Sequence, residues 1–181
     1  GILKKRAERE QRLKAEDGWL SVAGLSWLKD GANAFGCEKG LPVALPEGAC
    51  PPRAGELELR GGVATVRLAQ GVSATVGAAP ADGVTLRPNS ADALALGRLR
   101  LQIIQRGDRL GVRLRDPESP QRKRFHGLSH FPIDPRWRVT ARFEPHAAPR
   151  SVAITNVLGQ TQQMPSPGVA VFPVDGREVR L

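Results

Sequence analysis

The stretch LRLQIIQRGDRLGVRLRD, residues 99–116, decides the fold class. Two arms of alternating side chains flank Gly107-Asp108, and a glycine-led pair suits a two-residue hairpin turn. With the turn there, Arg106 faces Arg109. The register then pairs Ile104 with Gly111, Ile103 with Val112, Gln102 with Arg113, Leu101 with Leu114 and Arg100 with Arg115. Alternation puts Leu101, Ile103, Val112 and Leu114 on one face, which reads as core. The other face carries Arg100, Arg106, Arg109, Arg113 and Arg115 with Gln102 and Ile104. Like charges directly opposite one another are destabilising, so this face asks for counter-charge. It can come from within, from Asp116, Glu118, Asp134 or Glu144, or from a bound anion held in guanidinium forks. A solvated arginine face is the plain alternative, since each exposed pair is worth only about 0–1 kcal/mol. Arg113, central in its strand and opposite neutral Gln102, is expected to contact Asp116, Asp134, Glu144 or an anion. Arg106-Gly107-Asp108 spells an adhesion tripeptide but falls where the hairpin needs its turn.

Outward from this hairpin the pattern stays β. Val63–Leu68 and Val72–Val76 are rich in Val and Thr, and residues 32–36 open another strand. Residues 41–54 hold Pro42, Pro46, Pro51 and Pro52 and read as loop, as do 77–92 and the polar 117–124. Residues 19–28, WLSVAGLSWL, form a buried strand or a short helix, between which periodicity does not decide. Trp137, Val139, Ala141 and Phe143 alternate with Arg138, Thr140 and Arg142 and read as a strand with its apolar face buried. Val152–Leu158 is a further apolar run. Asp175-Gly176 is a type I′ pair inside a terminal hairpin. Residues 3–16 are helix formers with a thin apolar stripe, ended at Asp17-Gly18 and laid on the surface. Glu8–Arg12 and Glu10–Lys14 are spaced for favourable pairs. The expected architecture is mainly β: an N-terminal helix (1–16), a sandwich-like unit (17–98) and a second antiparallel β unit (99–181).

The chain has 181 residues and a net charge of +9, with no Tyr and few other aromatics. That charge favours anionic partners. No helix-turn-helix, zinc-finger or RNA-binding signature accompanies it, which argues against nucleic acid. No run of about 18 apolar residues is present, so no membrane span is expected. Cys37 and Cys50 are in no CxxC pair and are expected as reduced thiols in a cytoplasmic protein, with a disulfide as the alternative in an exported one.

No GxSxG, Walker or GxGxxG pattern occurs, and no cofactor is expected. His126 and His130 are spaced HxxxH, but Gly127 and Pro132 argue against a helix there and no third ligand follows, so a metal is not expected. Ser166, in Pro165-Ser166-Pro167-Gly168, reads as turn rather than nucleophile. The candidate ligand-binding residues are Arg106, Arg109, Arg113, Arg115, Asp116, His126 and Arg138. The leading reading is a binding module for an anionic small molecule or peptide. The alternative is a hydrolase-like site joining Arg113, Asp116 and His126, and a third reading is an interaction domain without a ligand.

Several stretches together resemble a bacterial domain-of-unknown-function family, number 1684. They include Trp19-Leu20, Gly24-Leu25, Trp27-Leu28, Phe35-Gly36 and Arg106-Gly107-Asp108-Arg109. Further on they include Gly127-Leu128, Phe131-Pro132, Trp137-Arg138, Val157-Leu158-Gly159, Ser166-Pro167-Gly168 and Asp175-Gly176, so they run along nearly the whole chain. The resemblance carries no established activity. It implies a further segment after the last hairpin, which would complete the hydrolase-like site. The first half is also similar to a forkhead-associated β-sandwich, on Phe35-Gly36, the Leu-Pro loop and the strands ending at Leu99–Ile104. That resemblance implies phosphothreonine binding through an Arg and a Ser. Here Cys37 and Glu38 follow Gly36, and no Ser-x-x-His is present.

Overall fold

The computed structural model describes residues 1–156, 159 and 161–181. The chain divides into two compact units, Gly1–Ser129 and His130–Leu181. In chain order the first unit contains helix α1 (Ile2–Lys14) and strands β1 (Val22–Trp27), β2 (Gly31–Gly36), β3 (Val43–Ala44), β4 (Gly55–Arg60), β5 (Val63–Leu68) and β6 (Thr75–Val76). It continues with β7 (Ala79–Pro80), β8 (Thr85–Leu86), β9 (Leu94–Leu96), β10 (Leu99–Arg106), β11 (Arg109–Arg115) and the one-turn helix α2 (Pro120–Lys123). The fold is mainly β, as expected.

Two sheets make a sandwich. One has the order β1-β11-β10-β9-β6-β7 and the other β3-β2-β4-β5-β8. Period-two alternation turns Leu57, Leu59, Ala64, Val66 and Leu86 of one sheet and Leu94, Leu99, Leu101, Ile103, Val112 and Leu114 of the other into a single buried cluster around Phe35. Each Val, Leu, Ile or Phe among them, taken fully out of water, contributes about 1.5–3 kcal/mol. β10 and β11 pair in the register read from the sequence, Arg106 opposite Arg109 through Arg100 opposite Arg115. Gly107 sits at φ 59°, the conformation a glycine-led turn requires.

The boundary between units falls at Ser129/His130, not at residue 98. β10 and β11 are the middle of the first sandwich: β11 bonds to β1, and β10 to β9. A cut at 98 would sever both ladders.

Other expectations are corrected here. Cys37 and Cys50 form a disulfide, with Cα atoms 5.8 Å apart. The physical reason is chain return. Cys37 N–H donates to Pro51 O (3.1 Å) and Glu38 N–H to Pro52 O (2.9 Å), so the proline-rich loop runs alongside the end of β2. The approach is so close that a Cβ on Gly36 would lie 2.1 Å from Pro52 O. Residues 19–28 are neither wholly buried strand nor helix: a 3-10 turn, Trp19–Ser21, leads into β1, which is half-exposed. Residues 117–124 contain α2, capped by Ser119, whose hydroxyl accepts Arg122 N–H and donates to Leu20 O. α1 buries none of its residues, as a surface helix should.

In the second unit, a 3-10 turn (Pro135–Trp137) is capped by Asp134, whose carboxylate accepts Arg136 N–H at 2.9 Å. A three-stranded antiparallel sheet follows, β12 (Arg142–Thr155), β13 (Thr161–Val174) and β14 (Arg177–Arg180). Asp175-Gly176 makes the expected turn, with φ 49° and 76°. The expected buried strand at 137–143 is overturned. Trp137 is in the turn and 73% exposed, and Val139, Ala141 and Phe143 are also exposed. Among the described residues Val171 alone is a buried hydrophobic of this unit, because its single sheet has no second layer to face. Ser166 is in β13, not in a turn, and its hydroxyl lies 3.2 Å from His146 Nε2 across a bulge between Pro145 and Arg150. The apolar run from Val152 is strand to Thr155; Val157 and Leu158 lie outside the described residues.

Candidate functional site

The sandwich places an arginine cluster on the outer face of β10 and β11. Arg106, Arg109, Arg113 and Arg115 share that face with Arg100, as the register requires. Where each guanidinium goes is informative. Arg100 donates to Gly97 O (2.8 Å) and Leu99 O (2.9 Å), and Arg106 to Gln105 O (3.0 Å). Arg115 donates to Asp17 O and to Gly18 O (2.8 Å). Arg109 stacks over the Trp27 ring, 4.2 Å from its centroid, and Arg113 lies 5.9 Å from that of Trp19. Among the described residues, no carboxylate forms an ion pair with any of these arginines. By contrast Arg53, Arg60, Arg67, Arg98, Arg136, Arg142 and Arg180 each reach one.

Of the two partners expected for Arg113, a carboxylate of Asp116, Asp134 or Glu144 or a bound anion, the carboxylate is therefore corrected. Asp116, 4% exposed, is taken by Arg98 in a two-point contact of 2.9 and 3.2 Å and accepts Glu118 N–H at 2.8 Å. Asp134 pairs with Arg136, and Glu144 with Arg142 and Arg180. Burial, with the adjacent charges of Arg115 and Arg106, holds the Arg113 guanidinium below the usual arginine range.

The remaining candidates are not drawn together. Asp116 belongs to the Arg98 pair. His126 lines an open cleft of about 530 Å³ with Glu10, Gln11 and Lys14 of α1. Glu10 accepts Leu128 N–H there at 3.0 Å. Arg138 belongs to the second unit. No hydrogen bond or ion pair joins Arg113, Asp116 and His126, so the three-residue hydrolase-like centre is not assembled among the described residues. Nor is there among them a group of three His, Cys, Asp or Glu placed to hold a metal ion.

Sequence reasoning missed the aromatic half of the face. Leu25 pairs with Arg113 and Trp27 with Gly111, so β1 presents both on the arginine side. Trp19 and Leu25 are exposed, and Trp27 is half-buried. The usable signal was the alternation of Leu25 and Trp27 with Gly24 and Ser26. It was masked by the continuous apolarity of the segment.

No curated protein and no solved structure matches the chain. Residues 123–181 match the model of one family, described as a protein of unknown function, DUF1684; the likeness covers the second unit and the end of the first.

Proposed function

We propose that the first unit is a binding module for an anionic small molecule or peptide, which docks on the outer arginine face of β10 and β11. The observation that carries this reading is Arg113: partly desolvated, beside two like charges, and in contact with an indole rather than a carboxylate. Such a cation gains most from an added anion. Arg106, Arg109 and Arg115 supply neighbouring donors and positive potential. The two-sheet sandwich supports the likeness to a forkhead-associated architecture. Phosphothreonine recognition is not carried over with it, because Cys37 is tied to Cys50 and Glu38 is paired with Arg53. The disulfide also favours an oxidising compartment over the cytoplasmic one expected from the sequence. Among the described residues no helix is long and apolar enough to cross a membrane.

The test is calorimetric titration of phosphate and citrate into the protein and into Arg113→Ala, at low and high salt. Binding should weaken with salt, since screening shortens the reach of charge to about 10 Å at 0.1 M. It should also weaken in the variant. Identical heats in both proteins with no salt effect would overturn the reading.

A further inference from the structure

The arginine face is a row and not a pocket. Arg109 and Arg113 are four residues apart on β11, about 13 Å at roughly 3.3 Å per strand residue, and each lies beside a tryptophan, Trp27 and Trp19. Leu25, 44% exposed, lies opposite Arg113 on β1, and Trp19 is 66% exposed. Arg100, Gln102 and Arg106 run alongside on β10. A small anion needs donors that converge on one point. Here a row of cationic groups runs beside the exposed apolar side chains of Leu25 and Trp19, which suits a linear polymer whose every unit offers both a negative charge and a flat apolar surface.

Two polymers have that chemistry, single-stranded nucleic acid and acidic polysaccharide. The Cys37–Cys50 disulfide favours the second, because it fits an oxidising compartment, where acidic glycans are abundant polyanions and nucleic acid is scarce. We propose that this row binds a linear acidic polysaccharide, with a pyranose C–H face on the exposed ring of Trp19 and uronate carboxylates on Arg100, Arg106 and Arg113. The proposal rests on the reading of this face as an anion site.

The experiment titrates glucuronate, oligogalacturonates of increasing length, uncharged cello-oligosaccharides and oligo-dT of matched charge into the full chain. Trp19→Ala, Trp19→Phe and Arg113→Ala are run in parallel, each checked for an unchanged melting curve. Oligogalacturonate should bind at least about tenfold tighter than glucuronate, a gain of ~1.4 kcal/mol. Trp19→Ala should lose that length-dependent gain, Trp19→Phe should keep most of it, and the uncharged oligomers should not bind. Affinity independent of length would overturn the polysaccharide and leave the anion site standing. Tighter binding of oligo-dT than of oligogalacturonate would overturn it in favour of nucleic acid. No binding of any anion would overturn both readings.

Discussion

At the scale of single residues, the buried polar groups are the sensitive points. Asn33 is 1% exposed and fully satisfied: its Oδ1 accepts Lys29 N–H at 2.9 Å, and its Nδ2 donates to the carbonyls of Lys29, Gly31 and Leu57. Asn33→Leu strands those backbone groups and should cost about 1–3 kcal/mol in a urea melt. Asp116 is governed by opposing effects. Burial raises its pKa, but the hydrogen bond from Arg98, the Glu118 N–H and the charges of Arg98 and Lys123 outweigh this and hold the carboxyl below its ordinary value of 3.8. A carboxyl with a depressed folded pKa adds stability above its unfolded pKa and loses it as pH falls through the folded one. Wild type should therefore lose stability below about pH 4, and Asp116→Asn should show less of that acid slope. Arg98→Met should lower the urea midpoint at neutral pH, because it leaves the buried Asp116 carboxylate without its two-point partner.

At the scale of elements, legibility in the sequence followed the reach of the forces involved. The 99–116 hairpin was readable down to its register because a turn glycine and strict alternation act within a few residues. The same reasoning misplaced Trp137, because alternation implies burial only where a second layer exists to receive the side chains. Trp137→Ala should accordingly change stability by less than about 1 kcal/mol, against the 3–5 kcal/mol of a core tryptophan. β4 also alternates, with Leu57 and Leu59 buried and Glu56, Glu58 and Arg60 on the opposite face, and the same rule reads it. The Cys37–Cys50 pair was not readable, since it depends on the proline-rich loop returning beside Gly36. The arginines of the candidate site were legible and their tryptophans were not, because Trp27 and the turn that carries Trp19 meet them only through the ladder of β1 to β11. Gly168 makes a matching case within the second unit: a Cβ there would lie 2.4 Å from Glu144 O and 2.6 Å from the Phe143 ring. Gly168→Ala should therefore disturb β12–β13 pairing, seen as faster amide exchange along Arg142–Glu144.

At the scale of the whole chain, the two units differ in what holds them. The first has a continuous apolar core and a disulfide closing a loop with a sequence separation of 13 residues. Such a loop is worth about 3 kcal/mol by the chain-entropy account. Reductant should lower the urea midpoint of amide protection in β4, β5, β10 and β11 while leaving that of β12–β14 in place. Equal shifts in both sets would mean that the units unfold together. The second unit presents a different problem, that of keeping to itself. β12 lies at the edge of its sheet, with Val152 and Ile154 exposed and Met164 opposite Val152 on β13. Pro145, Pro149 and Arg150 interrupt that edge with residues that lack a ladder donor or carry a charge. They act as a guard against end-on growth, and replacing Pro149 and Arg150 with valine should shorten the time a concentrated solution stays clear in light scattering.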